Sequence, residues 1–245
     1  MAQRGATGTG ADFACGTPAP SYEHVEMSRG LWRAEAANGT LHTRSVSTVV
    51  VDTYFHVVAS GRSATSGWVD VREDGALRRQ LAVLNSDFGP HSIAFRLMGV
   101  TRTVNTGWAA GGDELGMKRA LRRGGYNSLN VYLLSRISGV LGRCTLPQSA
   151  PEGPDVIKDG CTVDSSTVPG GKNRNYNMGK TLTHETGHWF GLYHTFRGGC
   201  DGQGDLISDT PAQASATKGC PSFRDSCPSK PGVDPIHNYM DYSTE

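Results

Sequence analysis

Eleven consecutive residues constrain this chain more than any others: His184-Glu185-Thr186-Gly187-His188-Trp189-Phe190-Gly191-Leu192-Tyr193-His194. On a helix, positions four apart share a face and lie about 6 Å apart along the axis. The spacing predicts a helix that carries the His184 and His188 imidazoles side by side, where one zinc ion accepts both nitrogens at about 2.0–2.1 Å. Glu185 follows the first ligand, and its carboxylate is placed to take a proton from a water at the site. Gly191 tolerates the positive φ that commonly ends helices. A sharp turn there returns His194 as a third ligand. Three protein nitrogens with a fourth position open are the arrangement of a catalytic zinc site, not of a closed structural one. The bland alternative is a helix with three incidental histidines. His-x-x-x-His alone arises often by chance, whereas five fixed positions seldom do.

A chain of 245 residues supports one or two domains with a real core. The net charge of +1 leaves no electrostatic footprint for nucleic acid or membrane. No apolar run approaches the length of a membrane span, about 20 residues. Six cysteines occur without a Cys-x-x-Cys. That disfavours thiolate zinc sites and thioredoxin-like chemistry, and favours disulfides in an oxidising compartment. Met1 to Gly10 is polar and glycine-rich, with no apolar segment of the signal-peptide kind. Weighed together, the cysteines place the protein outside the cell, and no signal peptide is visible in this chain.

Residues 1–45 are rich in Gly, Ala, Thr and Pro, with a short helix expected over Glu23–Ala37 and a glycosylation sequon at Asn38-Gly39-Thr40. Thr48–Val58 reads as a strand. Leu77, Leu81, Leu84 and Phe88 recur at helical spacing until Gly89-Pro90. Ile93–Val104 and Leu129–Leu134 read as further strands, and Asp113 caps a short helix expected through Arg123. Strands alternating with helices predict an α/β (α+β) domain with a mixed, twisted sheet. Residues 139–171 look loop-like, with Cys144 and Cys161 able to staple them. The active helix is expected over Lys180–Phe190, with Leu182, Trp189 and Phe190 toward the core. Beyond His194 the chain is irregular. This divides it into an N-terminal region (1–45) and a catalytic domain (46–245) made of an upper part (46–194) and a small lower part (195–245).

The pattern His-Glu-x-x-His-x-x-Gly-x-x-His resembles the signature of the metzincin metallopeptidases. Asn238-Tyr239-Met240-Asp241-Tyr242-Ser243 matches their methionine turn. Val51–Val58, Gly187–His194 and Asp234–Tyr242 are similar to the pappalysin family, above all to its secreted fungal extracellular metalloproteases. The similarity runs from about Cys15 to the end of the chain. The resemblance implies a metzincin-like fold and a zinc endopeptidase that binds a peptide along an edge strand. Val140–Thr145 or Cys161–Val168 is expected to supply that edge.

The resemblance also implies roles for single residues. Met240 packs beneath the metal ligands, and Tyr242 hydrogen-bonds the developing oxyanion or simply packs. Ala14-Cys15-Gly16-Thr17 matches a pro-segment Cys-Gly that occupies the metal and keeps a zymogen silent. The other reading makes Cys15 half of a disulfide, Cys220 being one candidate partner. The family pairs Cys200 with Cys227. It carries calcium near Asp201, Asp205, Asp209 and Thr210, whose spacing does not fit an EF-hand loop; solvated loop acids are the alternative. Compared with the family, the chain reads as truncated after the methionine turn, without the usual C-terminal helix and without a further cysteine for Cys220.

Two other functions compete. One is a non-catalytic, disulfide-stapled secreted zinc-binding domain, against which the intact Glu185 argues. The other is a zinc hydrolase of small molecules, which the edge-strand region and methionine turn disfavour.

Overall fold

Val, Tyr and Phe fill Val49–Ala59 (β1), and such side chains suit a pleated, half-buried surface. Burial along β1 alternates at first and is continuous from Phe55 onward, as expected of a strand covered on both faces. The computed structural model describes residues 14–38, 47–63, 66–67 and 75–244. In it, β1 pairs in parallel with Ile93–Val104 (β2) on one side and Leu129–Leu134 (β3) on the other. The six residues of β3 are all buried. Beyond β3 lies Cys161–Asp164 (β5), again parallel, and outermost runs Gly142–Cys144 (β4), antiparallel to β5. The mixed sheet has the order β2-β1-β3-β5-β4.

Helices cover both faces. Ala76–Phe88 (α2) makes the crossover from β1 to β2 and buries Leu77, Gln80 and Leu84. Leu77 and Leu84 share a core with Phe55, Val57, Val131 and Leu133, joined by Leu182 of Lys180–Trp189 (α6). Thr106–Ala109 (α3) and Glu114–Leu121 (α4) supply Ala109, Met117 and Leu121 to a second core with Val58, Tyr132 and Leu134. Trp189 and Phe190 pack half-buried against the first core. The Trp189 indole N–H donates to Asp159 at 2.9 Å. His56, at the centre of β1, is satisfied by Thr101 at 2.8 Å and Asn130 at 2.9 Å.

The strands at 49, 93 and 129 and the helices at 76 and 180 lie within a residue or two of their expected bounds. Residues 139–171 are less loop-like than expected: they hold β4, β5 and the short helix Pro154–Lys158 (α5). These strands are only three and four residues long. They persist because the Cys144–Cys161 disulfide joins them at a paired register position. The helix expected through Arg123 stops at Leu121. Arg122 turns out to Asp159, and Asn130 captures the backbone N–H and carbonyl of Arg123. Helix Tyr22–Asn38 (α1) matches the N-terminal expectation, while part of the Asn38-Gly39-Thr40 sequon lies outside the described residues.

Among the described residues, 195–244 contain no helix or strand. Side chains organise this segment instead. Asp241 accepts from Gln213 and from the Thr217 N–H, and Asp234 accepts from the Ser226 N–H and pairs with Arg224. The Cys200–Cys227 disulfide closes it, while Cys15 and Cys220 are free and not joined to each other. A crosslink spanning 27 residues removes about 3.5 kcal/mol of unfolded-chain entropy. Replacing Cys200 and Cys227 together by Ser is therefore expected to lower stability by about 3 kcal/mol in denaturant melts. An unchanged midpoint would show that the hydrogen bonds alone hold this segment.

Candidate metal centre

Helix α6 is buried along Thr181–His188, so it crosses the interior and brings both histidines to one buried face. At its end, Gly191 adopts φ +95°, a conformation costly for any residue with a Cβ. The Leu192 N–H reaches back to the Gly187 carbonyl at 2.9 Å, and the chain returns with His194. The three rings converge. His188 Nε2 lies 3.2 Å from His184 Nε2 and 3.0 Å from His194 Nε2. Two ligands bonded at 2.0–2.1 Å to a tetrahedral ion stand about 3.3 Å apart, so the spacing fits one shared cation.

Hydrogen bonding sets the tautomers. His184 Nδ1 lies 2.6 Å from the Tyr239 carbonyl, and His188 Nδ1 lies 2.8 Å from the Leu192 carbonyl. A carbonyl only accepts, so each Nδ1 carries the hydrogen and each Nε2 offers a lone pair. Burial holds the rings neutral. It pushes His184 well below the ordinary imidazole range, aided by repulsion from His188 and His194. It takes His188 down to about 4 and His194 to about 3. Lone pairs facing one another at this distance repel unless a cation lies between them, so the donor set fits zinc.

Glu185 is fully buried, and burial pushes its carboxyl up to about 8, against the pull of hydrogen bonds from Cys15 and Thr17 and of Arg143. Its Oε1 has no hydrogen-bond partner among the described residues, although it is buried. Met240 lies beneath α6: a Cβ built on Gly187 would stand 2.4 Å from its sulfur. Tyr242 Oη is 3.3 Å from His194 Nε2.

Cys15 is gathered into the same centre. Its Sγ lies with the three histidine nitrogens in a group whose atoms are all within 4.8 Å of one another, the only such group among the described residues. The backbone around it runs beside β4 through one isolated bridge, with Cys15 parallel to Gly142, Leu141 N–H bonded to the Ala14 carbonyl and Gly16 N–H bonded to the Gly142 carbonyl. Of the two edges expected from the sequence, β4 is the outer one, and β5 lies inside the sheet. Thr17 was not legible as a site residue. Its hydroxyl donates to Glu185 Oε2 at 3.1 Å and accepts from the Cys144 N–H at 2.9 Å. A cavity of about 310 Å³ opens beside His184, bounded by Met178, Lys180, Ile236 and Tyr239.

The calcium expectation falls on Asp201, Asp205, Asp209 and Thr210. Asp201 pairs with Lys230 at 3.1 Å, and Asp205 accepts from the Ile207 N–H at 3.0 Å. Burial pushes Asp205 up to about 6. These acids form no ligand group of the kind the histidines form among the described residues.

A twisted mixed sheet above a helix that carries two histidines, a glycine turn that returns a third and a methionine turn below together define a metzincin-type metallopeptidase. The peptidase M43 family model, described as pregnancy-associated plasma protein-A, matches residues 165–245. An extracellular metalloprotease of Colletotrichum graminicola is 54% identical, covering 100% of this chain and 87% of that relative. Another from Pyricularia oryzae is 55% identical over 96% of this chain and 82% of its own. Among solved structures, mature mirolysin of Tannerella forsythia in complex with a cleaved peptide aligns with a TM-score of 0.64 at 28% identity, covering 82% of this chain and 86% of its own. A promirolysin variant aligns with a TM-score of 0.65 at 25% identity, covering 95% and 87%. The chain belongs to the pappalysin family, and it is a zinc metalloendopeptidase.

In an open helix, Gly→Ala gains about 1 kcal/mol. Against the Met240 sulfur, Gly187→Ala is expected to lose about 1–3 kcal/mol instead. Combined with Met240→Ala, the loss should fall below the sum of the two single losses in thermal melts. Additivity within about 0.5 kcal/mol would contradict this packing.

Proposed function

We propose that His184, His188 and His194 hold one catalytic zinc and that Glu185 is the general base of peptide-bond hydrolysis. The observation that carries this reading is the convergence of three neutral Nε2 atoms at 3.0–3.2 Å beside a buried carboxylate. Zinc bound there supplies Lewis-acid polarisation of a carbonyl and a lowered pKa for water. Glu185 takes the proton of the attacking water and later delivers it to the leaving amine; burial alone favours its neutral form, and the positive charge of a cation held by the histidines would favour the carboxylate that this task needs. Tyr242 donates its hydroxyl hydrogen to the developing oxyanion. Met240 supports the ligands from below and binds nothing. The peptide lies along β4 as an added strand, held by main-chain hydrogen bonds. The cavity beside His184 takes one of its side chains.

Residues 1–45 act as a pro-segment in this reading, with residues 46–245 as the catalytic domain. Ala14–Thr17 occupies the strand position on β4 that a substrate needs. The Cys15 sulfur fills the place at the metal, and Thr17 caps the base. Helix α1 clamps the segment in place. His24 lies 2.6 Å from Tyr193 Oη, Glu23 accepts from Ser149 at 2.6 Å and Arg29 donates to Gln203 at 2.8 Å. The alignment with a promirolysin variant over 95% of this chain supports the same reading. Secretion accords with two disulfides and with relatives named extracellular, and no described helix is long and apolar enough to cross a membrane. The intact Glu185 beside the histidines favours catalysis over a zinc-binding domain without activity.

Glu185→Gln is expected to retain one zinc and lose at least about 10²-fold in casein cleavage. Cleavage equal to wild type would remove Glu185 from its role. Chelation should abolish activity, and added zinc should restore it. In the full chain, Cys15→Ala should shorten the lag before activity appears, and an unchanged lag would contradict the pro-segment reading.

A further inference from the structure

We propose that Asp87 is a positioning residue of the metal centre, acting on His184 through Tyr239. The inference rests on the zinc reading above and adds a residue to it. Asp87 sits in the last turn of α2, and its side chain is 5% exposed. One carboxylate joins two separate parts of the site. Toward α6, Oδ1 pairs with Lys180 Nζ at 2.6 Å and Oδ2 accepts from the Thr183 hydroxyl at 2.7 Å. Toward the methionine turn, Oδ1 accepts from Tyr239 Oη at 3.1 Å. Lys180 Nζ also lies 5.0 Å from the Tyr239 ring centroid.

Tyr239 closes the circuit. Its main-chain carbonyl accepts the Nδ1 hydrogen of His184 at 2.6 Å. The His184 ring is thus set from two directions: its Cα rides on α6 next to Thr183, and its Nδ1 points at Tyr239. Both supports end on Asp87. A carboxylate is the group suited to this task, since it accepts several hydrogen bonds at once and charge-assisted ones are roughly twice as strong as neutral ones. Losing the Tyr239 anchor leaves the carbonyl free to shift, and with it the direction of the Nε2 lone pair. Partners that orient a metal-bound histidine typically govern affinity by about 10–100-fold. Asp87 is absent from the group of candidate ligand atoms, so its influence on the metal runs through other residues.

The test measures zinc affinity of the full chain by chelator competition, alongside thermal melting of the zinc-free protein. Tyr239→Phe removes only the hydroxyl that reaches Asp87, and Asp87→Ala removes the carboxylate. Each is expected to weaken zinc binding about tenfold or more. The double variant should be no weaker than about the weaker single, because both break one circuit. Gln80→Met is the control for helix docking. Gln80 also ties α2 to α6, donating to the Gly179 carbonyl at 2.8 Å, without touching Tyr239. It should lower the melting temperature and leave zinc affinity within about twofold. Wild-type affinity in Tyr239→Phe, or an equal loss in Gln80→Met, overturns the relay. A separate arm with His184→Ala guards the underlying reading. If that variant binds zinc as tightly as wild type, the histidine site itself is wrong and the relay falls with it.

Discussion

Two main-chain carbonyls decide the character of this molecule. Tyr239 and Leu192 each accept an Nδ1 hydrogen from a buried imidazole, which turns the Nε2 lone pairs of His184 and His188 toward a common point shared with His194. Burial favours the neutral form of the rings, so their Nε2 lone pairs stay available to a cation. Much of the fold serves to hold those carbonyls and rings in register. The sheet and α2 carry α6, the turn at Gly191 brings Leu192 back, and the irregular segment after His194 delivers Tyr239 and Met240 from below.

On the pro-segment reading proposed above, a short N-terminal segment quiets the site. An edge strand offers unpaired backbone groups to whatever extended chain lies beside it. Ala14–Gly16 takes that position, and its residues then fall in register with the chemistry. Cys15 reaches the histidines, and Thr17 reaches Glu185 while accepting the Cys144 N–H. In that reading, the blocking interactions are those a substrate would make or needs free. In that reading no separate inhibitory surface is required, and the contacts of α1 keep the short segment in place.

The cluster of three histidines was largely legible in the sequence, because its members come from one helix and one turn. His184 and His188 are tied by helical period, and Gly191 announces the return of His194. Long apolar strands such as Leu129–Leu134 and the helix from Ala76 were legible for the same reason: local pattern and tertiary burial agree. The strands at 142 and 161 carried no local pattern, being three and four residues long, polar in part, and sustained by a disulfide and by neighbouring strands; only the family resemblance pointed to an edge at 140–145 or 161–168. Thr17 and Asp87 had no local signal either. Thr17 meets Glu185 across 168 residues, and Asp87 meets Thr183 across 96, and no periodicity reports such distant meetings. The acids at 201, 205 and 209 follow no loop pattern of their own; Asp201 pairs with Lys230, and Asp205 accepts from the Ile207 N–H.

In the proposed centre, three imidazoles and no other protein nitrogens hold a single ion. X-ray absorption at the zinc edge on the purified full chain tests it most directly. One zinc per chain is expected, with three nitrogens at about 2.0–2.1 Å and, while the N-terminal segment is in place, one sulfur at about 2.3 Å. A first shell with two or more sulfurs, with fewer than three nitrogens, or made of oxygen alone would contradict it.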